Sequence, residues 1–152
     1  MERNIVYIAL FSGLIAVLGL LPKLTLISGI PITAQSLGVM LCGVILGAKR
    51  GALAVLLFLS LVALGLPLLA GGRGGLGVFT TPWAGFLFGF PIAAYTTGYI
   101  MEKFKHMPIS FTASFAAFFG SIIVLYVIAI PYYMIGAKMD FFQSLLTMSP
   151  FI

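Results

Sequence analysis

Polar positions along this chain fall in clusters, and the stretches between them are apolar and free of charge. Such stretches run over about 5–22, 33–48, 51–66, 83–101, 110–135 and 141–152. A helix needs about 20 apolar residues to cross a hydrocarbon layer roughly 30 Å thick. Each stretch is therefore read as a membrane helix, and the chain as an all-α membrane protein. The second stretch is short for a span, which predicts tilt or partial burial. Pro67 stops the third, and Pro131 is expected to kink the far end of the fifth. The sixth, 141–152, would reach only about 18 Å as a helix and is expected to be incomplete. There is no internal repeat and no soluble segment, so 1–152 reads as one integral membrane domain.

Composition points the same way. Of 152 residues 62% are hydrophobic and 7% charged, against roughly a quarter charged in a soluble domain. Three acids and eight bases cannot cover a water-facing surface. The net charge of +5 comes from residues scattered singly or in pairs, which excludes a nucleic-acid patch. The lone cysteine, Cys42, lies in an apolar run and reads as a small buried hydrophobe. Basic connectors stay in the cytoplasm. An inside N-terminus puts Arg3, Lys49, Arg50, Lys103 and Lys105 there, against Lys23, Arg73 and Lys138 outside. The expected localisation is thus a multi-pass cell-membrane protein with a cytoplasmic N-terminus, and 24–33, 68–82 and 137–140 are its outer connectors.

The least ordinary stretch is 68–77, in which Gly71, Gly72, Gly74, Gly75 and Gly77 surround Arg73 and Leu76. Glycines let backbone approach a ligand closely and expose N–H groups to anions. The stretch reads either as a plain outer loop or as a wall of a solute site. Residues 72–77 match G-x-G-x-x-G, but no strand precedes them and no acid follows at the right distance, so a dinucleotide site is rejected. Arg73 suits bidentate pairing with a carboxylate, or else snorkels to lipid headgroups. Thr33 and Gln35 bring hydrogen-bonding groups to the mouth of an apolar helix, where they either cap and cross-link helices or read a ligand. Trp83 is an interfacial anchor or a stacking surface. Small residues four apart on the first helix, Ala9 with Gly13 and Ser12 with Ala16, permit close packing inside the chain or against another subunit. Asp140 with Gln143 reads as a capping box.

No Walker A motif is present, no acid lies inside a span, and His106 has no nucleophile nearby. The chain is therefore expected to be no enzyme, with no catalytic residue, no metal and no cofactor.

Five landmarks occur in order: Pro31-Ile32-Thr33-Ala34-Gln35-Ser36-Leu37-Gly38, Gly47-Ala48-Lys49-Arg50-Gly51-Ala52, Gly65-Leu66-Pro67, Gly71-Gly72-Arg73-Gly74-Gly75, and Thr81-Pro82 through Gly85. Their order and spacing resemble the BioY family, the biotin-specific S subunits of energy-coupling-factor transporters. The motifs cover about 5–101, and hydropathy carries the rest. The resemblance implies six transmembrane helices, the sixth incomplete here, and high-affinity biotin capture at the outer face. It implies as partners a separate transmembrane coupling subunit, two ATP-hydrolysing subunits and the lipid bilayer. It makes Ala9, Ser12, Gly13 and Ala16 the docking face for the coupling subunit. In the family, a segment like Ser149-Pro150-Phe151-Ile152 leads into a last helix with Pro-Gly-Asp and a lysine that help hold biotin. Some members carry an arginine near the position of Leu87, so Arg73 is expected to take the carboxylate instead. The implied site is Thr33, Gln35, Gly71, Gly72, Arg73, Gly74, Gly75 and Trp83, with Gln35 or Thr33 on the ureido ring and Trp83 against the apolar rings. The alternatives are an S subunit for another vitamin, or a structural membrane protein with no solute.

Overall fold

A chain this apolar meets little water, so its backbone N–H and C=O groups are satisfied within helices. The computed structural model describes residues 2–21, 24–25, 31–32, 34–69, 74–80, 84–138, 140 and 142–143. Among them run α1 (Glu2–Leu18), α2 (Gln35–Leu46), α3 (Ala48–Ala63), α4 (Ala84–Lys103), α5 (Ile109–Ala116) and α6 (Val124–Ala137). A π-helical stretch, Ala117–Ile123, joins α5 to α6, making one rod over Ile109–Gly136. A 3₁₀ turn, Leu76–Thr80, precedes α4.

Side-chain size is distributed as lipid solvent dictates. Large apolar groups face outward, among them Ile5, Leu10, Val17, Leu53, Phe111 and Val127, all more than half exposed. Small ones fill the interior, where Ala54, Ala93 and Ala94 are fully buried in one cluster with Phe58, Val55 and Ile15, and Ala116 is fully buried as well. Helices in a membrane gain from close approach, which small residues allow. α4 is the central element, packed on α2, α3, α6 and the π-helical stretch. A Cβ on Gly43 would stand 2.6 Å from the Ala94 carbonyl oxygen. Where α4 meets the rod, the buried hydroxyls of Thr97 and Ser121 share a hydrogen bond of 2.8 Å. Ala84–Lys103 and Ile109–Gly136 are long and apolar enough to cross a bilayer, in keeping with this apolar exterior.

The elements differ from the sequence expectation in three places. The stretches 33–48 and 51–66 become helices separated by one residue, Gly47, at φ +87°. α2 has only 12 residues, so it is the short helix the hydropathy pointed to. Helix is continuous through Pro131, and a π-helical stretch that the sequence did not announce lies earlier in the rod, at 117–123. Some backbone also escapes the all-α description: Leu24–Thr25 pairs antiparallel with Pro31–Ile32. Such a pair satisfies connector backbone that no helix can serve. Of the sixth expected stretch, only 142–143 is helical among the described residues, with Asp140 exposed just before it.

Hydrogen bonds define the two ends of the bundle. At one, Arg50 Nη1 donates to Asn4 Oδ1 at 3.2 Å and the Ala48 N–H to Glu102 Oε1 at 3.0 Å. The start of α1, the α2–α3 turn and the end of α4 therefore lie together, carrying Arg3, Lys49, Arg50, Lys103 and Lys105. At the other, Gln35, at the start of α2, binds the last turns of α1 and the segment after α3.

Candidate functional site

The candidate site is the end remote from the basic cluster, where the non-helical connectors gather. Gln35 occupies the first position of α2 and is 3% exposed. Its Nε2 donates to the Ile15 carbonyl at 3.3 Å and to the Leu68 carbonyl at 2.9 Å. Burying these groups unpaired would cost about 1–3 kcal/mol each. A Cβ on Gly19 would stand 2.5 Å from Gln35 Nε2 and 2.6 Å from the Leu68 oxygen. Gly19 thus leaves the space in which one amide joins α1, α2 and the segment entering the glycine-rich stretch. The amide hydrogens that the sequence offered to a ligand are donated to backbone instead, and Gln35 holds the frame of the site.

The glycine-rich stretch has pinned stems. The Gly75 N–H donates to the Val62 carbonyl at 2.7 Å, which ties its exit to the last turn of α3. Gly75 has φ +86° and Gly65 φ +107°, conformations that a side chain resists. A Cβ on Gly74 would overlap the Leu66 carbonyl. Entry and exit are therefore held side by side. Gly71, Gly72 and Arg73 lie outside the described residues, as do Thr33 and Trp83. Their described neighbours Ala34, Leu69, Gly74, Thr80 and Ala84 belong to this same end.

Aromatic residues that sequence reasoning missed close the third side. The Tyr132 hydroxyl donates to the Phe79 carbonyl at 3.0 Å, fixing the 3₁₀ turn against α6. The Phe88 ring lies 5.6 Å from both the Phe79 and the Tyr132 ring. Gly85 permits the approach, since its Cβ would meet Tyr132 Cβ at 2.8 Å and Ala129 Cα at 2.9 Å. The available signal was Tyr132 near the outer end of the fifth stretch, at a depth where a tyrosine ring with a polar tip is favoured. Among the described residues no cluster of His, Cys, Asp or Glu could hold a metal ion. The chemistry on offer is recognition by backbone, aromatic faces and a few polar atoms.

The four small residues of α1 do not share one environment. Ala9 and Gly13 are exposed, and nothing lies within 4 Å of a Cβ added at Gly13. Ser12 turns inward at 2% exposure, its Oγ without a partner among the described residues, and Ala16 packs on the core. The open edge of α1 is Ala9 with Gly13.

Comparison with known proteins gives this arrangement its relatives. The chain is 55% identical over 130 residues to the biotin transporter BioY of Rhodobacter capsulatus, covering 86% of this chain and 68% of that one. It is 49% identical to the biotin transporter BioY of Rhizobium etli, covering 99% of this chain and 83% of the relative. The crystal structure of the S-component for biotin from an ECF-type ABC transporter superposes with a TM-score of 0.91 at 27% identity, over 99% of this chain and 82% of that one. These relatives are transporters, not enzymes. The BioY family model matches residues 2–152, and a match running through both ends of the bundle, with the glycine-limited contacts at each, means that the chain belongs to the BioY family.

Proposed function

We propose that this chain captures biotin at the outer face of the membrane, with high affinity and without chemistry, for uptake by an energy-coupling-factor transporter. The observation that carries the reading is the likeness to the biotin S-component, at a TM-score of 0.91 over 99% of the chain. The relatives named as biotin transporters support the same substrate. The unit is one membrane domain of six spans, the short α2 leaning on its neighbours, with the N-terminus and the basic end in the cytoplasm.

In this reading the stems held by Gln35, Val62 and Tyr132 present three segments to one cup. Arg73 and the N–H groups of Gly71, Gly72, Gly74 and Gly75 take the carboxylate, Thr33 takes the ureido ring, and Trp83 covers the apolar rings. Gln35 acts on the ligand through Leu68. A guanidinium–carboxylate pair in a partly dry cup is a charge-assisted bond, stronger than a neutral one. Energy enters elsewhere, from two ATP-hydrolysing subunits acting through a transmembrane coupling subunit that docks on the open edge of α1.

Calorimetry on the full chain in nanodiscs tests the reading. Biotin is expected to bind, and Arg73→Ala to weaken it by about ten- to a hundredfold. Unchanged affinity in Arg73→Ala rejects the role of Arg73, and absence of biotin binding by the unaltered chain rejects the function.

A further inference from the structure

The basic end contains a cavity that biotin capture leaves unused. Phe104, Met107, Phe111, Thr112 and Phe115 line about 160 Å³ in the α4–α5 hairpin. Its lining exposes no polar surface. The one polar side chain there, Thr112, is 3% exposed, and its hydroxyl donates to the carbonyls of Pro108 and Phe104 at 3.1 and 3.3 Å. A drug-sized ligand takes roughly 300 Å³ or more and some convergent polar groups. The cavity offers neither, and it lies at the opposite end from Gln35, so it is no second vitamin site.

Its rim faces lipid. Phe104, Met107, Phe111 and Phe115 are 39%, 46%, 58% and 39% exposed. The aromatic row continues down the rod, where the Phe115 and Phe119 rings lie 4.4 Å apart. Lys103 and Lys105, both exposed, flank Phe104 in the chain. Lys103 Nζ lies 5.9 Å from the centre of the Tyr99 ring, an aromatic residue half exposed beneath it. The neighbouring acid, Glu102, directs its carboxylate to the start of α3, accepting from the Ala48 N–H at 3.0 Å. The hairpin therefore presents two cations at the water boundary, with an apolar slot immediately below. One occupant satisfies both parts at once: an anion carrying a hydrocarbon tail.

We propose that the α4–α5 hairpin is a binding site for an anionic glycerophospholipid, whose acyl chain enters the Phe104–Phe111–Phe115 slot and whose phosphate lies at Lys103 and Lys105. Basic residues just outside a membrane helix attract anionic lipid headgroups, and an apolar slot holds one tail in register with them. The site is independent of the biotin cup.

The test uses the full chain in nanodiscs with a trace of phosphatidylglycerol bearing a diazirine in its acyl chain, against phosphatidylcholine bearing the same chain. After illumination and proteolysis, label is expected within 104–119 and in preference from the anionic probe. Each lysine contributes about fivefold to that preference, so Lys103→Gln with Lys105→Gln removes roughly 25-fold. Phe111→Ala, an exposed substitution, is expected to reduce labelling by both probes while biotin binding stays unchanged. Equal labelling by the two probes, label spread evenly over α1 and α3, or a preference that survives loss of both lysines overturns the proposal. So does loss of 104–119 labelling in the assembled transporter because another subunit covers the hairpin.

Discussion

At the basic end, α2 and α3 are joined by as little chain as possible. α2 passes to α3 through Gly47 alone, and the Gly47–Ala48 peptide lies directly against Gly98 of α4, where a Cβ would overlap it. At the other end the same helices are separated by long connectors, and side chains do the joining: Gln35 to Ile15 and Leu68, Tyr132 to Phe79. The first end is held mainly by close packing, supplemented by the bonds of Arg50 to Asn4 and of Ala48 to Glu102, and its α2–α3 turn leaves a ligand no free backbone. The second is held by hydrogen bonds to irregular backbone, which membranes tolerate only inside protein or around a water-filled cavity. One end is where a scaffold is anchored, and the other is where polar recognition is affordable.

Gly98→Val attacks the first principle and should have the largest effect. The added atoms meet backbone rather than a movable side chain, so the loss should reach about 3 kcal/mol or more, seen as a lower Tm and aggregation in detergent. A variant as stable as the original would mean that α4 does not clamp the turn. Gln35→Leu attacks the second. It removes the donor to the Leu68 carbonyl, while the Ile15 carbonyl keeps the Gly19 N–H at 3.1 Å, and should cost about 1–2 kcal/mol. Biotin affinity should fall as well, since Leu68 leads into the glycine-rich stretch.

Glu102→Ala separates the two principles. The start of α3 has no side-chain cap of its own, and Glu102 supplies one from α4. Its loss should cost about 1 kcal/mol. Because the cap lies at the shape-held end, biotin affinity should not change. Calorimetry on Gln35→Leu and Glu102→Ala, adjusted for their Tm values, reads the difference directly. Equal losses of affinity would mean that both ends report only global stability.

Much of this division was legible in the sequence, for a physical reason. Charge-free blocks mark helices because lipid excludes charge, and the boundaries of α1, α4 and the rod fall within a few residues of the hydropathy breaks. The glycines of Gly47-Ala48-Lys49-Arg50-Gly51 and of Gly85 were visible as landmarks, but their partners were not. Sequence spacing says nothing of which backbone will lie across from a missing Cβ. Gln35 shows the limit most clearly. An amide at a helix mouth has the same composition whether its hydrogens meet a ligand or a carbonyl, and only the approach of Leu68, 33 residues away, decides between them. The Phe79–Phe88–Tyr132 group was hidden likewise, because it joins segments distant in sequence.

The smallest expected effect on stability is also the most discriminating test of α1. Four small residues on that helix looked equivalent by spacing, yet Ser12 and Ala16 serve the interior while Ala9 and Gly13 stay open. Gly13→Leu places a side chain where nothing lies within 4 Å, so the isolated chain should keep its Tm to within about 0.5 kcal/mol and bind biotin unchanged. The same side chain would hold a second helix away from the Ala9–Gly13 edge, and close approach is what small residues provide between membrane helices. Co-purification with the coupling subunit should therefore be lost while the isolated chain remains intact. If the complex forms as before, that edge faces lipid alone, and the coupling subunit rests on another surface of the bundle.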